Sequence, residues 1–518
     1  MHRRIETAAF ALVFAAVFPS LQGCGSSSNP ASAPDASGGD SSADTGTVDA
    51  GGEAAAEGGV DAGPDCGASP PMGKQLVMSP NPLVVLGTTG DANAIYEDLT
   101  TQLIYAVPVA GGSPTKIGSM TSQGRTLWTN GGTAVLYLPV ATDPMDAVAP
   151  LSAWTAAGGV HVISTAALAQ DSYFYTYDAS QDGKYVAYFA TTDGVSGTLT
   201  ASTIDGVTQT PLVMNVDLQN QTCYPMVQFV GDTLVAQYCL TPEPPTVVST
   251  VSTFAAPTFT AVTIGAMFVP SNSPIAVDPT GKLLMLSPPA GGIALFPIDG
   301  TAATTIDATG VGAAFTPTGD VLYTSSSTAL LRWSATTKMA TTLVTSGLSF
   351  PLYLSADANW VQAAANQDST TQLTDLYIAS TMTPGPAIPV VTTPTVSAFG
   401  FSADSKYSGF GTNFPMNFGA ATFDFEVSKT SGGMPAKVLS AASAPLYTSG
   451  SKLICNTNQS KTTGAADIVA LDLSTTAAPT VLVTQADPDL FLAKTHDVVY
   501  SWYCDLNAMA GVWALTPP

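Results

Sequence analysis

Few side chains in this chain have the type and spacing that chemistry needs. His2 lies in the first few residues, His161 alternates with valines in Gly159-Val160-His161-Val162-Ile163, and His496 sits in a turn-like stretch. His2 is expected to be lost with an export signal, the two histidines that remain cannot build a three-imidazole metal site, and an imidazole that alternates along an apolar run reads as a strand residue. Ser113-Pro114-Thr115-Lys116 has the S-x-x-K spacing of an activated serine, but it sits in a Gly-Gly-Ser-Pro turn where that chemistry needs the start of a helix. Lys461-Thr462-Thr463-Gly464 is no better placed, and no G-x-S-x-G hydrolase turn follows the repeats described below. Paired carboxylates are the remaining option. Asp278, Asp299, Asp307, Asp357, Asp375, Asp404 and Asp424 recur through the chain, and a ring of repeats can bring any two to one mouth. Each, however, reads first as a turn or hairpin residue. No catalytic residue, cofactor or metal is assigned.

The thiols follow a second pattern. Beyond Cys24 the chain holds Cys66, Cys223, Cys239, Cys455 and Cys504. Cys223 and Cys239 lie symmetrically about Gly231 and would face each other across one hairpin, and a bridge there is worth roughly 3 kcal/mol in the chain-entropy model. Cys455 and Cys504 fall in the second strands of neighbouring repeats and form the other candidate pair, which needs a favourable edge position. Cys66 is left over. No C-x-x-C spacing occurs, which argues against zinc and thiol redox chemistry.

These residues belong to three segments. Residues 1–23 read as an export signal: His2-Arg3-Arg4 is the positive region, and Ala8 to Phe18 is an apolar stretch too short to span a bilayer. Leu21-Gln22-Gly23-Cys24 resembles the lipobox of bacterial lipoproteins, with Gln22 less usual at its place. That resemblance implies diacylglyceryl transfer to the Cys24 thiol, cleavage before it and acylation of the new amino terminus. Several acyl chains make a durable anchor, at about 0.8 kcal/mol per buried CH₂. Gly25, not Asp, follows the cysteine, and by the same resemblance this implies delivery to the outer membrane, facing the periplasm or the cell surface.

Residues 24–74 form a tether. From Ser26 to Pro71 Gly, Ala, Ser and Asp dominate, without an aromatic residue, Lys or Arg. Too little apolar surface is present to offset chain entropy, so this stretch is expected to be disordered and extended. Its spaced aspartates lack the D-x-D-x-D-G order of a calcium loop.

Residues 75–518 repeat one unit. In Tyr175 to Gly206 an apolar strand is turned by Ser180-Gln181-Asp182-Gly183-Lys184, and Tyr185-Val186-Ala187-Tyr188-Phe189-Ala190 leaves as a second strand. Comparable turns centre on residues 131, 231, 281, 319, 358, 405, 450 and 496, and the spacing of about 38 to 52 residues is the span of a four-stranded propeller blade. Third strands are expected at Gly292 to Ile298, Ala329 to Trp333, Asp375 to Ala379, Thr422 to Val427 and Asp467 to Leu473. Ser180-Gln181-Asp182-Gly183-Lys184 and Phe401-Ser402-Ala403-Asp404-Ser405-Lys406-Tyr407 resemble the hairpins of TolB-like, WD-repeat-like propellers. The other turns depart from that pattern, and the resemblance implies a fold without a function.

The expectation is therefore an all-β protein: a β-propeller of about eight blades, seven or nine also being compatible. The ring is expected to close through a composite blade, with Leu103 to Val107 joining Val498 to Trp502 and Val512 to Leu515.

Composition limits the function. The net charge is −23 with only 10% charged residues, which argues against nucleic acid as a partner. The reading is a monomeric, lipid-anchored envelope protein whose propeller, not an enzyme, binds or scaffolds a protein or glycan. Its candidate contacts are Met416 and Phe418 in the loop 413–421, and Asn456, Asn458 and Gln459 in the loop 456–466. The alternatives are a carboxylate-dependent propeller enzyme (a lyase, glycosidase or lactonase) and a surface adhesin or spacer.

Overall fold

The computed structural model describes residues 73–119, 132–138, 148–168, 176–219, 225–241, 249–268, 275–288, 290–325, 329–345, 349–365, 373–394, 397–412, 423–432, 434–458, 466–475, 478–492, 498–504 and 509–516. Among these residues every regular element is a strand. The unit centred on Gly183 shows the plan. Tyr177–Ala179, Tyr185–Ala190, Ser196–Thr203 and Gln209–Asp217 lie side by side in chain order, each antiparallel to the next. The four are called inner, second, third and outer strand below.

Residues 83–119, 226–268, 276–307, 311–344 and 349–394 form separate four-stranded sheets on that plan. Residues 134–168 supply three described strands, the outermost of which runs on to pair Ala167 with Ala190 of the next unit. The last three units are fused. Ala436–Ser449 and Thr480–Leu492 each serve as the outer strand of one unit and the inner strand of the next. Lys74–Ser79 then pairs with Met509–Leu515 and completes the final unit. The described strands thus fall into ten units, and the ends of the chain close them into a ring.

Ten buried clusters match the ten junctions between consecutive units. Val186 and Tyr188 pack on residues 134–168, whereas Ala187 and Phe189, one position on, pack on residues 226–268. Successive side chains of a strand point to opposite faces, and both faces here are covered by neighbours, so the second strands read as nearly unbroken apolar runs. The junction that closes the ring packs Val499, Ala510, Val512 and Ala514 against Leu83, Val85, Ala94 and Tyr96. Each fully buried Val, Leu, Ile or Phe contributes roughly 1.5–3 kcal/mol. Polar staples add direction. Asp178 accepts the Phe229 amide at 2.6 Å from the next unit, and buried Gln362 ties residues 349–394 to Gly400, Ser408 and Gly409.

The all-β propeller is as expected, and all five third strands form. Three expectations are corrected. The described strands form ten units instead of about eight, because Lys74–Ser79 makes the last unit complete and residues 83–119 are a complete unit as well. Their inner hairpin turns at Thr89-Gly90-Asp91-Ala92, where alanine, with φ +61°, takes the place of the usual glycine. The closing strand is consequently Lys74–Ser79 and not Leu103 to Val107, which is the third strand of that first unit. Finally, Cys455 is a free, buried thiol, so the Cys455–Cys504 bridge is absent. Strand parity explains this: Ile454 faces the unit that holds Cys504, and Cys455 points the other way, into the cluster with Phe423 and Phe425. Cys239 is buried and disulfide-bonded; Cys223 lies outside the described residues, as do Cys24 and Cys66.

Candidate functional site: the two rims

Antiparallel order places the turns. Those between inner and second strands, and between third and outer strands, lie on one rim of the ring, and connections between second and third strands lie on the other. On the first rim a single device recurs. Ser180 Oγ donates to Asp182 at 2.8 Å and accepts the Tyr185 amide at 2.9 Å, while Gly183 takes φ +71°. Ser355 with Asp357 and Ser402 with Asp404 repeat it, with Ala358 and Ser405 in the left-handed position. Asp278 substitutes its own carboxylate for the hydroxyl and accepts the amides of Lys282 and Leu283 at 2.7 and 2.6 Å. A hydroxyl or carboxylate that receives the returning amides fixes a tight turn locally, as side chain–backbone bonds of this kind do.

The same bonds set the electrostatics. Burial raises the Asp182 pKa, but bonds from Lys184 and Ser180 outweigh it and hold the carboxyl below the usual range. Asp404 and Asp357 are lowered in the same way, against burial, by Ser402 and Lys406 and by Ser355 and Asn359. Asp299 and Asp307 accept the amides of Thr301 and Thr309. Asp375 and Asp424 lie on the strands Leu373–Ser380 and Phe423–Lys429, and Lys437 reaches Asp424 at 3.4 Å. Among the described residues no group of three His, Cys, Asp or Glu side chains converges as metal ligands would.

One cavity of about 320 Å³ opens on the first rim where three units meet. Asp91, Thr133, Thr155, Ala156, Ala157, Asp182 and Gly183 line it. The turns around it are locked together: the Gly90 amide donates to the Gly132 carbonyl at 2.8 Å, and Gly183 leaves no room for a Cβ beside Thr133 Oγ1. Asp182 is paired with Lys184 at 2.6 Å, and Asp91 accepts from Thr89 and Asn93, so both carboxylates already have donors. No sequence pattern marks this cavity, because its walls come from ordinary turn residues of three units, spread from Asp91 to Gly183.

Of the nominated contacts only Asn456 and Asn458 fall among the described residues. The loops 366–372, 413–422 and 459–465 each join a second strand to a third strand. Met416, Phe418 and Gln459 lie outside the described residues. Asn458 is exposed, holds φ +55° and donates to Asp467 at 3.1 Å. Asn456 is a correction. It lies within the strand Lys452–Thr457, paired with Ser443 and Ile468, and is fully buried, so it belongs to no loop surface. On the rim of the second-to-third-strand connections, burial and the neighbouring Asp98 push the Glu97 carboxyl upward. His161 lies on the outer strand Gly159–Leu168, its Nε2 2.9 Å from the Gly158 carbonyl, and Thr115 with Lys116 begins a strand and not a helix. His496 lies outside the described residues.

No family model and no curated protein matches the chain. Solved structures do resemble it. TolB from Acinetobacter baumannii is 11% identical over 57% of this chain and 79% of its own, with a TM-score of 0.27. A eukaryotic initiation factor is 11% identical over 80% and 90%, with a TM-score of 0.41. Prolyl endopeptidases are 11% identical over 65% and 52%, with a TM-score of 0.33. The propeller architecture rests on the strand order and closure of this chain itself.

Proposed function

We propose that this chain is a lipid-anchored envelope protein whose propeller binds a protein or glycan partner through the rim that carries the second-to-third-strand loops, without turning it over. The observation that carries the reading is the polarity of the ring. The closing strand begins at Lys74, whose ammonium donates to the Ala110 carbonyl in a third-to-outer turn, so the described chain enters the ring at the first rim. The described strands that flank 366–372, 413–422 and 459–465 end at the other rim. Loops on a rigid scaffold are where recognition usually resides. A Gly- and Ser-rich linker of about fifty residues would span roughly 40 Å root-mean-square, enough to present that rim to peptidoglycan or a neighbouring envelope protein. The aspartates of the first rim support the same reading, since they hold turns.

Two experiments test it. Mass spectrometry of the native protein finds acylated Cys24 at the mature amino terminus, and Cys24→Ser releases the protein from the membrane fraction. Shortening 413–422 and 459–465 abolishes partner capture while leaving the melting temperature unchanged. An intact signal peptide, or capture that survives the shortened loops, refutes the proposal. So does turnover of a polysaccharide or lactone that is lost in Asp91→Asn or Asp182→Asn.

A further inference from the structure

The strand that closes the ring is an outer-edge strand like Thr115–Ser119, Thr304–Asp307 and Ala340–Val344, but unlike them it is joined by no hairpin to the strand it pairs with. Lys74–Ser79 pairs on one side only, with Met509–Leu515, and lies at the outer edge of the last unit. Of its six residues only Leu76 is buried; Lys74, Gln75 and Met78 are exposed. Its register slips between Gln75 and Val77. Most of the junction between the last and first units forms without it, because Val499, Ala510, Val512 and Ala514 share one cluster with Leu83, Val85, Ala94, Tyr96, Val107 and Val109. Removing the strand takes Leu76 and half-buried Val77 from that core, breaks the Lys74–Ala110 bond and bares the backbone edge of Met509–Leu515.

That edge is shaped to receive a strand. Gly511 stands opposite Met78, and a Cβ there would lie 2.9 Å from the Val77 carbonyl oxygen and 3.4 Å from the Met78 sulfur. The missing side chain lets the incoming backbone approach. Between the closing strand and the first unit runs Pro80-Asn81-Pro82, in which two of three residues have a fixed φ. Short, stiff hinges of this kind favour exchange of an element between copies over its return to the same copy.

We propose that Lys74–Ser79 opens separately from the ring, and that the edge of Met509–Leu515 is a strand-accepting site. Its second occupant is the same strand of another copy of this chain. The exchange creates no new contact: each copy donates Leu76 and its backbone bonds to the other, and every junction core stays in place. Copies concentrated on one surface would favour it by mass action.

The test uses full-length chains. Lys74 and Ala514 are register partners, so Lys74→Cys and Ala514→Cys are placed on separate chains, mixed, incubated and oxidised. A peptide linking positions 74 and 514 then arises only between copies, and mass spectrometry identifies it. The expected result is a linked dimer whose yield rises with incubation time and protein concentration. The doubly substituted chain serves as control and links within one copy. No link between copies, while the double variant links readily, overturns the proposal; failure of the double variant to link overturns the register on which it rests. Hydrogen exchange of the unsubstituted protein gives an independent reading. Amides of 74–79 exchange at least tenfold faster than those of 498–504, and exchange of both at one rate contradicts separate opening.

Discussion

Replacing Gln362 by Leu removes the most completely bonded polar staple between two units while keeping the volume of the side chain. Its Nε2 donates to Ser408 Oγ at 2.8 Å and to the Gly409 carbonyl at 3.0 Å, and its Oε1 accepts the Gly400 amide at 2.8 Å. Gln362 and Ser408 are fully buried, so water does not replace what is lost. The net worth of three bonds is about 0.5–1.5 kcal/mol each, and a buried group left unsatisfied costs about 1–3 kcal/mol. Ser408 can turn its hydroxyl elsewhere, but the Gly400 amide is fixed in its strand. Recovered apolar packing offsets part of the loss, which leaves a net destabilisation of about 2–4 kcal/mol. Urea denaturation reads this as a lower midpoint with an unchanged slope. A Gln362→Leu midpoint indistinguishable from the parent protein would refute the claim that such staples, as well as apolar cores, join the units.

Three further outcomes are expected. Gly183→Ala forces a left-handed alanine and sets a Cβ 2.6 Å from Thr133 Oγ1, so it lowers stability by about 1–3 kcal/mol in the same assay. The Glu97 carboxyl is raised in the folded state, so its contribution to stability is full below its unfolded pKa and is lost as pH rises through the folded value; Glu97→Gln raises the melting temperature at pH 7 to 8, and the gain vanishes below about pH 4. Deleting Gly511 to Pro518 removes Val512, Trp513 and Ala514 from two junctions and strips the closing strand of its partner, so calorimetry records a lower transition for the whole ring and not the loss of one unit.

Much of the fold was legible because its turns are local. A glycine in the left-handed position between two apolar runs is a local signal, so the hairpins at Gly183, Gly231, Gly281, Gly319 and Gly450 could be found without tertiary information. The same locality limited the count. At Thr89-Gly90-Asp91-Ala92 the hydroxyl–carboxylate pair persists without glycine in the left-handed place, and the first unit was read as half a unit. The device also serves connections other than the inner hairpin, as Thr191-Thr192-Asp193-Gly194 shows, so a motif count alone does not number the units. Cys455 and Asn456 mark a different limit. A one-residue shift in parity or strand length moves a side chain from a neighbour to the opposite face, or from a loop into the core. The cavity lined by Asp91, Thr133 and Asp182 was invisible because it exists only where three units meet.

The central claim is that recognition uses the rim opposite the one at which Lys74 enters the ring, and photo-crosslinking in intact cells tests it most directly. A crosslinking residue at Asn458 samples the second-to-third-strand rim, and one at Asp232, exposed in an inner hairpin turn, samples the other. The account predicts that the probe at Asn458 captures a discrete envelope protein or glycan and the probe at Asp232 does not. Capture from Asp232 alone, or equal capture from both rims, would contradict it.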